Sequence, residues 1–153
     1  MTTNPASSNY LNKRRFAIGL LAILGSMDAL YLTWIKVSET TASCAGIGDC
    51  QTANISTYSE IAGIPVAALG LLTYVLIGIL VWMETRRPEL IEWSQLAVFG
   101  LSLVGMIFSG WLTYVEIEII RAICPYCIIS AILISIIFVL SSIRLMQEPS
   151  PHQ

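Results

Sequence analysis

The sequence predicts an all-α integral membrane protein, folded as a four-transmembrane-helix bundle. Of its 153 residues, 56% are hydrophobic and only 12% are charged, whereas a soluble domain is about 45–50% apolar and about 25% charged. Four apolar segments are long enough to span a membrane, because about 30 Å of hydrocarbon requires roughly 20 helical residues. Nothing separates a second domain, so we expect residues 1–153 to form one unit.

The four helices are predicted at residues 16–37, 64–83, 96–117 and 124–145. The first is too long for the apolar core of a cleaved signal peptide, so we interpret it as a membrane helix. The last can begin at Cys124, because Pro125 suits the first position of a helix. The tails, Met1–Asn12 and Gln147–Gln153, are predicted to be solvated. Residues 38–63 form the one long connection, an outer loop with room for a short interfacial helix.

The distribution of basic residues predicts the orientation in the membrane. Two of the eight, Lys36 and Arg121, flank the same side as the long loop. The other six flank the opposite side: Lys13, Arg14, Arg15, Arg86, Arg87 and Arg144. Because basic residues gather in cytoplasmic loops, both termini are predicted to be cytoplasmic. The net charge of −2 gives no indication of a nucleic-acid partner.

All four cysteines then lie on the outer face, as the pairs Cys44/Cys50 and Cys124/Cys127. In bacteria that face is oxidising, so the thiols can form disulfides. With Pro125 in the first helical turn, Cys124 is predicted to cap the helix. Unpaired N–H groups and the helix dipole stabilise a thiolate there, and the thiolate is the form that attacks a disulfide.

Three interpretations of the cysteines remain open at this point. Four cysteines can close a zinc site, although five residues between Cys44 and Cys50 is a loose ligand spacing. They can form two inert disulfides, although a bridge across two residues constrains little unfolded-state entropy. They can also form a relay in which one pair passes electrons to the other by thiol–disulfide exchange.

A relay requires an entrance and an exit. Cys44 and Cys50 lie on a solvent-facing loop that a soluble dithiol protein can reach. Cys124 and Cys127 lie at the membrane boundary, where a lipid-soluble carrier can reach them. A quinone suits this exit, because it accepts two electrons and dissolves in the bilayer.

The pattern of Cys44 and Cys50 in the first outer loop, then Ser56, "GIPVAALG", "WLTYVE" and "CPYC", resembles the vitamin K epoxide reductase family. The resemblance runs from the first helix through the fourth. The DsbB type of quinone-linked oxidase differs, because its Cys-x-x-Cys lies in the first outer loop. The second helix here lacks the asparagine that contacts vitamin K in animal members. We therefore expect quinone reduction of the bacterial type rather than epoxide reduction.

The resemblance implies a role for each cysteine. Cys44 matches the family cysteine that meets the partner's thiol, and Cys50 matches the one that exchanges with Cys124. Cys127 matches the cysteine that faces the quinone, with which it can form an adduct or charge-transfer complex. Ser56 matches a family serine near the redox centre, although capping or a loop hydrogen bond explains it equally well.

Other residues carry weaker signals. Asp28 lies near the middle of the first helix, where an acid is costly; it is a candidate proton relay or a protonated acid bonded to a neighbouring helix. Trp111, Tyr114 and Tyr126 can wall a quinone pocket or anchor the chain at the interface. Three charged residues near the outer interface are expected to be solvated: Glu116, Glu118 and Arg121. Of these, Glu118 and Arg121 are expected to form an ion pair. Gly105 and Gly110 are expected to allow close helix packing.

Together these observations predict a thiol oxidase of the bacterial inner membrane. It would reoxidise a separate DsbA-like, thioredoxin-fold partner and reduce ubiquinone or menaquinone, with no metal and with membrane lipid around it. Some bacterial members carry a fused thioredoxin-like domain, and this sequence ends at Gln153 without one, which implies the separate partner. The alternatives are a disulfide-bridged membrane scaffold without turnover and a cysteine metal site in the membrane.

Overall fold

A computed structural model describes residues 5–38, 59–61, 63–121 and 123–147. Its four long helices are each long and apolar enough to cross a membrane, which confirms the predicted fold class. The helices are α1 (Pro5–Val37), α2 (Val66–Arg86), α3 (Ile91–Tyr114) and α4 (Pro125–Gln147). Two short strands, β1 (Glu60–Ile61) and β2 (Ile64–Pro65), precede α2; a 3-10 turn (Pro88–Leu90) precedes α3, and a π-helical turn (Val115–Ile120) follows it.

The helices depart from their predicted ends mainly at the N-terminus. We predicted a solvated tail as far as Asn12, but α1 already begins at Pro5. A proline is well placed in a first helical turn, and no further proline or glycine interrupts the chain before Gly19. The helix therefore extends beyond its apolar segment, because backbone hydrogen bonding does not require a hydrophobic side chain.

The bundle has one core in which α1 packs against α2 and α4, and α3 packs against the same two helices. Branched aliphatic residues fill most of it, since the apolar positions of each helix that face the other helices are buried together. The buried set is Ile18, Ala22, Ala29, Tyr74, Ile77, Val81, Val98, Ile134 and Ile137. Many other large apolar side chains are exposed on the outside of the bundle, as expected for a surface that faces lipid.

Two glycines bring neighbouring helices close together. A Cβ atom at Gly25 would overlap the ring of Tyr74, so α1 and α2 meet there. A Cβ atom at Gly105 would lie 2.9 Å from Cγ1 of Ile134, which confirms the predicted packing role of Gly105 between α3 and α4. The same prediction for Gly110 is wrong, because a Cβ atom there would have no atom within 4 Å. Gly110 lies on an exposed part of α3.

The bundle has two chemically different ends. The basic end carries Arg14, Arg86 and Arg144, and a hydrogen bond from Arg14 to Gln147 joins the N-terminal part of α1 to the last residue of α4. We call the opposite end, which carries Lys36 and Cys124, the cysteine end. All six basic residues that were expected on one side of the membrane therefore belong to one end of the bundle.

At the cysteine end, β1 and β2 form a small antiparallel hairpin in which Glu60 pairs with Pro65 and Ile61 with Ile64. Gly63 takes a φ of 79° in its turn, which a glycine adopts without strain. The Nζ atom of Lys36 lies 3.1 Å from Oε1 of Glu60 and donates to Oγ of Ser59 at 3.0 Å, so the hairpin is tied to α1.

Most of the predicted outer loop, with its expected interfacial helix, lies outside the described residues. Cys44, Cys50 and Ser56 lie there too. Within the described part of this loop, the chain forms the β1–β2 hairpin.

Candidate functional site

The Cys-x-x-Cys sequence begins α4. Pro125 is the first residue of the helix, and the carbonyl of Cys124 accepts a hydrogen bond from the N–H of Ile128 at 3.2 Å. Cys124 thus occupies the capping position, as predicted. Both Cys124, which is buried, and Cys127, which is half-buried, are free thiols.

The surroundings of Cys124 favour its thiolate. Cys124 is only 2% exposed, yet its sulfur accepts hydrogen bonds from the thiol of Cys127 and from the backbone N–H groups of Cys127 and Tyr126. The Cys127 thiol is the largest cause that lowers the pKa of Cys124, and the three donors together outweigh burial and the nearby Glu116 carboxyl, which raise that pKa. Helix starts commonly lower thiol pKa values in this way.

The π-helical turn at the end of α3 brings a carboxyl group to these thiols. Glu116 is only 7% exposed, and its Oε2 atom accepts a long hydrogen bond of 3.5 Å from the N–H of Cys124. Its carboxyl also lies within hydrogen-bonding reach of the Cys127 thiol, as a second acceptor beside the Cys124 sulfur. The turn ends at Arg121, whose φ of 53° places it in the left-handed region. Single π turns of this kind are frequent at functional sites.

The prediction that Glu116 is solvated is therefore wrong. Glu118 and Arg121 are exposed, as expected. They form no ion pair with each other, and the ion pairs within the described parts of the chain join Lys36 to Glu60 and Arg144 to Glu84. A sequence reading that assumes 3.6 residues per turn cannot detect a π turn, so the direction of the Glu116 side chain was missed.

A cavity of 320 Å³ lies between the four helices, from the middle of the bundle to the cysteine end. Its lining is largely apolar, and its polar groups converge from several helices. They include both thiols and two carboxyl groups: Asp28, Ser59, Thr73, Tyr74, Ser109, Thr113, Glu116, Cys124, Cys127 and Ser130. Val104 on α3 also lines the cavity while being 66% exposed, so the cavity wall includes a residue that faces outward from the bundle.

Asp28 lies on the wall of this cavity. Its Oδ2 atom is buried and has no hydrogen-bond partner within the described residues. The hydroxyl of Tyr74, also on the wall, donates to the carbonyl of Ser130 at 2.8 Å and lies 3.0 Å from its Oγ atom. Tyr74 was not among the predicted site residues, although a tyrosine within an otherwise apolar helix was a usable signal.

The three aromatic residues predicted to wall a quinone pocket lie outside the lining of this cavity. The ring of Tyr126 packs against Tyr31 at a centroid distance of 5.2 Å, and Trp111 packs against Phe108 at 5.9 Å. Tyr114 is 61% exposed. The aromatic residues that do line the cavity are Tyr74 and Phe108.

A family model described as the vitamin K epoxide reductase family matches residues 16–142, from α1 to α4. The chain belongs to this family. It is also similar to the thiol-disulfide oxidoreductase LTO1 of Arabidopsis thaliana, with 30% identity over 121 residues. That match covers 75% of this chain and 32% of the relative, so the chain spans about a third of the relative's length. Membership of the family confirms the resemblance carried by "GIPVAALG", "WLTYVE" and "CPYC".

Proposed function

We propose that this membrane protein is a thiol oxidase that takes two electrons from a dithiol protein and passes them to a membrane quinone. The observation that carries the proposal is the position of Cys124 and Cys127, on the wall of a largely apolar cavity that is also lined by the outward-facing Val104. Family membership and a relative named as a thiol-disulfide oxidoreductase support redox chemistry at these thiols.

In the proposed relay, Cys44 and Cys50 receive electrons and Cys124 and Cys127 pass them on. Cys44 meets the thiol of the partner, Cys50 exchanges with Cys124, and Cys127 faces the quinone. The lowered pKa of Cys124 supports its part, since a good leaving thiolate speeds the exchange in which that sulfur is displaced. The half-buried Cys127, on the same cavity wall, supports the exit.

The cavity has the character expected of a quinone site. Small-molecule pockets are mostly apolar and carry a few convergent polar groups, with typical volumes of about 300–1,000 Å³. Here the ring of Phe108 and the aliphatic residues can enclose a flat apolar ring, while Tyr74 and Ser130 offer hydrogen bonds. We propose ubiquinone or menaquinone as the acceptor, with its chain leaving toward the lipid beside Val104.

Asp28 is the proposed proton donor for the reduced quinone. Quinone reduction consumes protons as well as electrons, and the buried Oδ2 atom of Asp28 has no partner within the described residues. A carboxyl in that position can hold a proton close to the acceptor. The other proposed neighbours of the quinone, Ser56, Trp111, Tyr114 and Tyr126, stay predictions.

The proposed partner is a DsbA-like protein of the thioredoxin fold, and the proposed location is the bacterial inner membrane. The grouping of Arg14, Arg86 and Arg144 at one end supports cytoplasmic termini, with the cysteine end on the periplasmic or extracellular side. Reporter fusions to the two termini test this orientation; a terminus found on the outer side would contradict it.

The function is tested by oxidation of a reduced DsbA-like protein by the purified protein in detergent, with and without decylubiquinone or menadione. We expect quinone-dependent oxidation that Cys127→Ser abolishes while Cys44 and Cys50 still pair. Cys44→Ser should block oxidation of the protein partner but spare oxidation of dithiothreitol. If the cysteines stay as fixed disulfides whether or not quinone is supplied, the protein is a scaffold and the proposal fails.

A matched pair of glycines tests whether the cavity holds the quinone. Gly70 lines the cavity, Gly78 lies two turns further along α2 outside its lining, and a Cβ atom at either would meet no atom within 4 Å. Gly70→Leu should fill the quinone space and raise the KM for quinone at least tenfold, since about 1.4 kcal/mol of lost binding corresponds to a factor of ten. Gly78→Leu should leave that KM unchanged. Equal effects of the two variants would place the quinone elsewhere.

A further inference from the structure

The thiol of Cys127 has a single proton and two neighbouring acceptors. One is the sulfur of Cys124, and the other is the carboxyl of Glu116. An S–H group donates one hydrogen bond at a time. The proton of Cys127 can therefore point to Cys124 or to Glu116, but not to both.

Glu116 is held in place to receive this proton. Its Oε2 atom accepts from the backbone N–H of Cys124 at 3.5 Å, and the π-helical turn directs its side chain inward. The carboxyl is buried, lines the cavity and forms no ion pair in the described portions of the chain. A buried carboxyl without a cationic partner is costly to keep ionised. Taking up a proton relieves this cost.

We infer that Glu116 is a catalytic proton acceptor that takes the proton of Cys127 and delivers it into the cavity during quinone reduction. The inference rests on the proposed function and adds a residue that the cysteine relay does not contain. Transfer of the proton to Glu116 leaves Cys127 as a thiolate, which is the form of the sulfur that can give up electrons.

The reaction balances in atoms and electrons. Before the step, Cys124 is a thiolate, Cys127 is a thiol and Glu116 is a carboxylate. One S–S bond forms between the two cysteines, which together lose two electrons and one proton. The quinone gains the two electrons and two protons, one through Glu116 and one from Asp28. Water restores the proton of Asp28, and Glu116 returns to its carboxylate form.

The test compares Glu116→Gln with Glu118→Gln, a matched control on the same π turn whose side chain is exposed. Glutamine keeps the size and the hydrogen-bond acceptor of Glu116 but cannot take up a proton. A positioned proton acceptor contributes about 10²–10⁴ in rate, so Glu116→Gln should slow the reduction of decylubiquinone at least about 100-fold. Glu118→Gln should react at the wild-type rate.

A second readout needs no quinone. The rate at which iodoacetamide alkylates Cys127, measured across pH in reduced protein, reports how readily that thiol loses its proton. Glu116→Gln should change this pH profile. Glu116→Asp, which keeps a carboxyl group, should recover part of the rate of quinone reduction and part of the wild-type pH profile. If wild-type protein reduces no quinone, the proposed function fails, while the alkylation profile still decides whether Glu116 exchanges a proton with Cys127.

The inference is overturned if Glu116→Gln keeps the wild-type rate and profile, or if Glu118→Gln is slowed as much. It is also overturned if Glu116→Gln loses quinone reduction but keeps the wild-type alkylation profile, because the residue would then act only on the shape of the site. Should Glu116→Gln fail to fold, as judged by thermal unfolding, Glu116→Met, which also lacks the carboxyl group, decides. A displaced pH profile in that variant supports the inference, and an unchanged profile refutes it.

Discussion

At the start of α4, the Cys124 sulfur is almost fully buried and is nevertheless surrounded by hydrogen-bond donors. Burial alone would favour the neutral thiol, because a charge is poorly solvated there. The Cys127 thiol and the N–H groups of Cys127 and Tyr126 reverse that preference and lower the pKa of Cys124. Cys127 therefore has two functions in the proposed scheme, as the sulfur that faces the quinone and as the donor that holds Cys124 ionised.

The donor role of Cys127 leads to a pH prediction. In reduced protein with Cys44 and Cys50 replaced by serine, thiolate absorbance should rise at a pH below that of an ordinary cysteine, about 8.5. Cys127→Ala removes the donor, so the pKa of Cys124 should rise and its thiolate should form at higher pH. Cys127→Ser keeps a hydroxyl donor and should lie closer to the unsubstituted protein. Equal midpoints for the alanine and serine variants would contradict this account.

Cys124 and Glu116 show what a sequence can and cannot reveal about individual residues. The capping position of Cys124 was predictable because Pro125 fixes where a helix can begin, and that is a local property. The contact of Glu116 with the same thiols was not predictable. It depends on the π turn that carries Glu116, eight residues before Cys124, and on the contact of α3 with α4 at the cysteine end. Both are properties of packing rather than of local sequence.

At the scale of the helices, a buried ion pair joins α2, α3 and α4 at the basic end. Nη2 of Arg144 lies 2.8 Å from Oε2 of Glu84, and Oγ of Ser94 donates to Oε1 of Glu84 at 2.8 Å. The side chains of Arg144 and Glu84 are 5% and 0% exposed. From the sequence, Arg144 was identified only as a basic residue flanking the fourth helix, because the pattern of a single sequence does not show which acidic residue a basic one contacts.

Breaking this pair should be costly. Arg144→Met leaves the Glu84 carboxylate buried without its cation, which we expect to lower the free energy of unfolding by about 3–5 kcal/mol. The double variant Glu84→Gln/Arg144→Met removes the charge and should recover much of that loss. Arg87→Met, at an exposed position of the same end, should change stability by about 0.5 kcal/mol or less. Denaturant unfolding in detergent measures all three, and a double variant no more stable than Arg144→Met would refute the explanation.

Some bounds of the helices and strands could likewise be predicted from the local sequence, and others could not. The four apolar segments were identified because the thickness of the hydrocarbon layer sets their length. The N-terminal extension of α1 to Pro5 was missed, since a helix outside the hydrocarbon leaves no apolar pattern. The β1–β2 hairpin was missed because two residues per strand are too few for a periodic signal.

At the scale of the whole molecule, the bundle separates two tasks between its ends. The basic end holds a buried ion pair and exposed arginines, and the cysteine end holds Cys124, Cys127, the carboxyl groups of Asp28 and Glu116 and the cavity. This separation follows from the order of the helices along the chain. Consecutive helices run in opposite directions, so successive connections lie at alternate ends of the bundle. Family membership from residue 16 to residue 142 covers both ends.

The position of the cavity has an energetic consequence for turnover. Cys124, Cys127, Glu116 and Asp28 all border one space in the half of the bundle nearest the cysteine end. In the proposed scheme, the electrons and protons that reach the quinone therefore enter from a single aqueous compartment, and no net charge crosses the bilayer. Moving one charge across 100 mV would involve about 2.3 kcal/mol, so the reaction should be electrically silent. In proteoliposomes, a potassium diffusion potential of either sign should leave the oxidation rate unchanged, and a voltage-dependent rate would show that protons are drawn from the far side.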